Sequence, residues 1–122
     1  MKKRKSEINH PAYKYGSDAE YLHWLSFQAS CLSGEFNQYI DGVGRNIACH
    51  VRRANNSGTG IKPPFSAVPL TDAEHKYQHQ HGEREALIRY QSYLTPEFLA
   101  KEWFNDQAKI HLERWIEERS NR

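Results

Sequence analysis

The sequence has little cysteine, one methionine, no long apolar run and almost no net charge. Cys31 and Cys49 are its only cysteines, too few for a disulfide framework, so the default is a pair of reduced thiols. No apolar stretch approaches the roughly 20 residues that a membrane-spanning helix needs. The basic start Lys2-Lys3-Arg4-Lys5 runs into Asn9-His10-Pro11 rather than the apolar centre of a secretory signal. These absences lead to the expectation of a cytoplasmic protein that does not enter a membrane. With 122 residues there is room for one domain and a modest core. Its 38% hydrophobic and 26% charged content is enough to fold one.

A net charge of +2 does not mark a nucleic-acid binder, but the charge is unevenly spread. Residues 1–62 hold nine Lys and Arg against five Asp and Glu, whereas residues 63–122 hold eight against ten. The basic surplus sits in the N-terminal tail and at Arg45, Arg52, Arg53 and Lys62. The latter group would suit a phosphate backbone, while Lys2 to Lys5 alone reads first as a solvated end.

Residues 1–16 have no hydrophobic period and contain Pro11 and Gly16, so they are expected to be a basic arm or loop. Ser17-Asp18-Ala19-Glu20 has the form of a capping box, and a helix is expected from there. Leu22, Leu25, Ala29 and Leu32 give it an apolar stripe, joined by Tyr21 and Trp24, and Ser33-Gly34 is a plausible stop. From Glu35 to Val51 the pattern favours extended chain and turns around Asp41-Gly42 and Gly44, with a strand over Ile47 to Val51. The loop from Arg52 to Pro64 carries Asn55-Asn56-Ser57-Gly58-Thr59-Gly60, which can expose backbone amides but has no nucleotide-binding pattern around it.

Phe65 to Leu70 is expected as a second strand, with Pro69 near its end. Thr71-Asp72-Ala73-Glu74 is a second capping box, opening a helix that carries His75 and His79 one turn apart on one face. Gly82 should loosen that helix. Thr95-Pro96-Glu97 starts a last helix, whose stripe of Leu99, Trp103, Ala108, Leu112 and Trp115 is expected to face the core or a partner rather than nucleobases. His111 on that helix is expected to be packed and hydrogen-bonded. The chain thus divides into an arm over 1–16, a central domain over 17–94 and a C-terminal helix over 95–122 packed on the same domain.

A strand ending in histidine, a second strand and a helix with two histidines can together clamp a metal ion. Two imidazoles one helical turn apart can serve one ion. His75 and His79 are therefore candidate ligands, with Cys49 as a possible third. Hydrolysis of a phosphodiester also needs a base, for which His50 is the candidate, because neutral imidazole titrates near working pH. Arg52, Arg53 and Lys62 are candidate phosphate contacts, and His81 is a candidate contact to a metal ligand or to the nucleic-acid substrate. On a regular strand Cys49 and His50 face opposite sides, so both serve one site only if the strand ends or bulges between them. Otherwise Cys49 is a small buried hydrophobe and His50 joins the helix histidines on the metal, or no metal binds.

The segments Ala48-Cys49-His50-Val51-Arg52, Gly58-Thr59-Gly60-Ile61-Lys62-Pro63-Pro64, Val68-Pro69-Leu70 and Glu74-His75 through His79 resemble the HNH, or ββα-metal, endonucleases. The likeness is nearest to a group of phage and prophage HNH-like proteins that mostly lack an assigned function. It covers residues 20–94 in outline and is specific over 48–83. It implies an α+β fold in which a small ββα-metal unit is flanked by an N-terminal helix and a C-terminal amphipathic helix.

The resemblance also implies His50 as the water-activating base, Cys49, His75 and His79 as metal ligands, and Ser66 where the family usually has the Asn that orients the base. Cys49 itself replaces a usual His or Asp. Thr71 and Glu74 stand where cysteines often hold a structural zinc, and only Cys31 remains of the first zinc pair. The implied cofactor is one divalent ion, Mg²⁺, Mn²⁺, Ni²⁺ or Zn²⁺, with a thiolate favouring the softer ions. The implied activity is DNA hydrolysis in phage or prophage replication or recombination, with a protein partner from those processes or self-association left open. A non-catalytic nucleic-acid-binding or protein-interaction module of the same fold, or a small helical partner protein using the Leu99 to Trp115 stripe, remain the other readings.

Overall fold

Two capping boxes and one tight turn set the frame. The Ser17 hydroxyl accepts from the Glu20 amide at 3.1 Å and Glu20 accepts from the Ser17 amide at 3.0 Å, which starts helix α1, Asp18–Leu25. Asp41 and Gly42, with φ of 52° and 81°, turn β1 (Gln38–Ile40) back on β2 (Val43–Arg45) as an antiparallel hairpin. Positive φ at both central residues matches the twist of the flanking strands. Thr71 and Glu74 repeat the reciprocal cap at 3.2 and 2.9 Å and open α2, Asp72–Gln91. The computed structural model describes residues 10–51, 63–91 and 96–121. Within them the fold is α+β, with α3 over Glu97–Ser120, a short 3-10 helix over Pro11–Tyr15 and two antiparallel strand pairs. No helix among the described residues is long and apolar enough to cross a membrane.

The second pair joins β3 (Ile47–His50) to β4 (Ala67–Leu70) in the register Ile47↔Leu70, Ala48↔Pro69, Cys49↔Val68 and His50↔Ala67. Its two faces pack on different cores, as the period of two requires. Ile47, Cys49, Val51, Val68 and Leu70 join Leu32, Ala86, Leu87 and Phe104, whereas Ala48 and Ala67 join Ala12, Tyr21, Leu25, Phe65 and Trp115. Helix α3 serves both cores through Ala100, Phe104, Ala108, His111 and Trp115, buried residues spaced three or four apart.

Several expectations shift. Residues 11–15 form the 3-10 helix rather than a free arm: the His10 Nδ1 caps Ala12, and Tyr13 meets Phe65 edge to face at 4.8 Å. Helix α1 stops at Leu25 because Ser26 returns its hydroxyl to the His23 carbonyl at 2.6 Å and the chain then turns, so Ala29 is exposed instead of lying on a core stripe. The stripe of α3 runs one residue out of phase at its start. Leu99 is 43% exposed while Ala100 is fully buried.

Glu74 does more than cap. Its carboxylate is buried, accepting from the Ser30 hydroxyl at 2.5 Å, from the Ser33 hydroxyl and from the Thr71 amide. Ser30 in turn accepts from the Leu32 and Ser33 amides. A hydroxyl–carboxylate knot therefore ties the turn after α1 to the start of α2. Its members Thr71 and Glu74 are two positions where the resemblance would place zinc-binding cysteines. The signal available in the sequence was Ser30 and Ser33 three apart, matched to the capping-box acid.

Candidate functional site

The β3–β4 ladder runs one rung beyond His50. The Val51 amide donates to the Ser66 carbonyl at 3.0 Å and the Ser66 hydroxyl donates to the Val51 carbonyl at 2.9 Å. That closure fixes the chain where His50 leaves the ribbon. Beside it, the first half of α2 presents His75 and His79, whose rings meet edge to face with centroids 4.4 Å apart. Cys49, His50, His75 and His79 line one cleft of about 580 Å³, with Gln78, Gly82, Glu83 and Glu97 on its other walls. The volume falls in the range of ligand-binding clefts.

Helix α2 breaks inside this cleft. Gly82 has φ 91° and ψ 169°, a region essentially reserved for glycine. The break ends the histidine-bearing turn and redirects residues 83–91, bringing Glu83 to the wall four residues after His79. The loosening expected at Gly82 is thus a full kink.

The electrostatics separate the candidates. Burial, and then the neighbouring His79, lower the affinity of His75 for a proton, against a smaller opposing pull from Asp72. A neutral imidazole is the ligand form, so His75 is ready for a metal at pH values where a free histidine is partly charged. Cys49 is different. Burial, followed by Glu74 and Asp72, pushes its thiol up to about 12, and it lies 5% exposed in the first core. At neutral pH it is a protonated small hydrophobe, and only a thiolate binds metal well. Burial raises the Cys31 thiol further still.

His50, His75 and His79 come to one cleft as the sequence suggested, and Cys49 reaches its floor from the core side. Ser66 and His81 make contacts of their own. The Ser66 hydroxyl donates to the Val51 carbonyl across the strand pair. His81 stacks on Tyr77 with ring centroids 4.4 Å apart, and the cleft is walled without it. Arg52, Arg53 and Lys62, with the glycine-rich loop between them, lie outside the described residues. Gln78, Glu83 and Glu97 went unremarked in the sequence, although Gln78 and Glu83 follow the histidines at helical spacing.

Two imidazoles one turn apart on one helix fit a divalent ion as a partial ligand set. Among the described residues no group of three His, Cys, Asp or Glu side chains is gathered around one point. Of the candidate ligands, His75 and His79 are the two whose rings stand side by side. Comparison with protein families, with curated proteins and with solved structures finds no match for this chain.

Proposed function

We propose that this chain is a metal-dependent endonuclease that hydrolyses DNA phosphodiester bonds in the cleft between the end of β3 and α2. The observation that carries the reading is the delivery of three imidazoles to one cleft, His50 from the strand pair and His75 and His79 from the following helix. In this reading β3, β4 and α2 form a ββα-metal unit. His75 and His79 would hold the ion, which when bound supplies Lewis-acid stabilisation of the charge that develops on the phosphate. His50 takes the proton from the attacking water, and the Val51–Ser66 closure holds the end of the strand that carries it. The basic residues flanking the loop, Arg52, Arg53 and Lys62, would hold the phosphate backbone without reading bases. A place in phage or prophage replication or recombination belongs to this proposal through the resemblance alone.

A second reading has a specific observation behind it. The buried thiol of Cys49 and the Ser66 hydroxyl given to Val51 withdraw two positions that a catalytic centre of this kind would use. A nucleic-acid-binding module that keeps the arrangement without the chemistry accounts for both.

The deciding experiment pairs metal content with plasmid cleavage in Mg²⁺, Mn²⁺, Ni²⁺ and Zn²⁺. Under the endonuclease reading the protein cleaves with at least one ion. His50→Ala abolishes cleavage and retains metal, whereas His79→Ala loses both. Metal retained without cleavage by the unaltered protein establishes the module instead. Finding neither metal nor cleavage would remove the endonuclease reading and leave a module in which His75 and His79 merely pack.

A further inference from the structure

A second cleft, of about 430 Å³, opens between α1 and the C-terminal half of α3. Its walls are the rings of Trp24, Phe27 and Trp115, with His23, Glu20 and Arg119 around them. Trp24 and Phe27 share one side because the chain tightens into a 3-10 turn there, with the Phe27 amide donating to the Trp24 carbonyl at 3.1 Å. Side chains three apart eclipse in such a turn. Two guanidinium groups flank these rings from outside the cleft wall. Arg45 lies over Phe27 at 4.3 Å and Arg114 over Trp24 at 5.7 Å from the ring centroids.

The polar groups around the cleft divide into those already engaged and those with capacity left. Glu20 takes the Ser17 amide on one oxygen and Arg119 on the other. Arg119 also donates to the Tyr15 carbonyl. Glu118 accepts from the Trp24 indole nitrogen at 2.9 Å. Arg45 and Arg114, by contrast, have no carboxylate at ion-pair distance among the described residues. Arg114 makes one long hydrogen bond, 3.4 Å to Gln28. The Nε of Arg45 is buried without any acceptor. A ligand that brings an acceptor to this donor would remove the penalty of leaving it unpaired.

Aromatic walls, beside two arginines that have no ion-pair partner among the described residues, match a planar base joined to phosphates. We infer that the cleft between α1 and α3 seats an unpaired base of single-stranded DNA, with Arg45 and Arg114 on the phosphates to either side. Every base has a π-face, so the seat accepts any of the four and favours unpaired over duplex strands. The inference rests on the nucleic-acid part of the reading above and adds the form of substrate, a strand with an unpaired stretch.

The test uses the full chain stripped of metal with EDTA, so that cleavage is off. Labelled oligo(dT) and a duplex of the same length are titrated while anisotropy and tryptophan emission are followed. The expected result is tighter binding of oligo(dT) than of duplex, with quenching of tryptophan emission by oligo(dT) alone. Trp24→Leu should weaken oligo(dT) binding about 5- to 100-fold, while Trp24→Phe, which also loses the bond to Glu118 but keeps an aromatic face, should stay near the unaltered protein. Arg45→Ala with Arg114→Ala should flatten the salt dependence by about 1.4 units of slope, since each phosphate contact on a single strand contributes about 0.7.

Equal loss in Trp24→Leu and Trp24→Phe, an unchanged salt slope, or no quenching by oligo(dT) would overturn the inference. The last of these would leave the cleft to a protein partner. A protein that cleaves DNA but shows no quenching keeps the proposed activity and loses this seat; one that quenches without cleaving keeps the seat and loses the activity.

Discussion

Replacing Gly82 by alanine tests whether the kink in α2 is required by the fold. With φ 91° and ψ 169° the position lies outside the regions open to L-residues, and strain of this kind costs about 1–3 kcal/mol. A Cβ there would meet no atom within 4 Å, so the whole cost is conformational. The chain could escape by straightening the helix, gaining about 1 kcal/mol from the better helix former. Straightening would rotate the segment after the kink and lift Leu87, now 1% exposed, out of the first core at a cost of about 2 kcal/mol. Neither route is free. The cheaper route nets about 1 kcal/mol, so thermal unfolding of Gly82→Ala should fall by about 3 to 6 °C, at roughly 3–6 °C per kcal/mol for a chain of this length. Gly82→Asn should fall as far, because asparagine tolerates left-handed helical backbone but not a ψ of 169°. Gly42→Asn, at a hairpin turn with φ 81° and open space for a side chain, should change little. An unaltered melting temperature in Gly82→Ala, or equal losses in Gly82→Asn and Gly42→Asn, would refute the reasoning.

Other substitutions follow from the same structure. Glu74→Ala strands the Ser30 and Ser33 hydroxyls and the Thr71 amide and should cost about 3–5 kcal/mol in urea denaturation; Glu74→Gln, which keeps an acceptor, should cost about half of that. Burial lowers the proton affinity of His111, most strongly among its influences, and does the same for His10 and His75. Below the ordinary histidine value of 6.5 the unfolded chain binds protons that the folded chain resists, so stability is fully present above that pH and falls on acidification. His111→Gln should flatten the slope of stability against pH below 6.5, as read from urea midpoints across a pH series, and an unchanged slope would exclude His111 as a contributor.

The sequence made the locally encoded parts of this fold legible. The boxes at Ser17 and Thr71, the Asp41-Gly42 turn and the break at Gly82 are each specified within a few residues by hydrogen bonding or backbone freedom. What escaped notice depends on partners far along the chain. The 3-10 helix over 11–15 has no 3.6-residue period to betray it and is held by Phe65, more than 50 positions away. The turn that follows α1 is held by Asn46, from beyond the hairpin, which donates to the carbonyls of Gln28 and Glu35 at 2.9 and 3.0 Å. At the start of α3, Leu99 and Trp103 have the right spacing for a buried stripe, yet the contact goes to the smaller Ala100 and to Phe104. Periodicity gives the spacing of a face, and the phase is set by what packs against it.

Cys49 and His50 show how that limit reaches the candidate site. Alternation along a strand sends neighbours to opposite sides, and here Cys49 turns to the core of Leu32 and Val68 while His50 is the last strand residue before the ribbon ends. The strand end lets both reach one cleft, but the chemistry of each is decided by depth. A thiol held protonated at neutral pH packs as a hydrophobe, and a half-buried imidazole at the strand end keeps its access to the cleft. The pair adjacent in sequence is thereby split into a core residue and one that lines the cleft. His75 and His79 come from one helical turn, where the spacing alone already brings the two rings side by side.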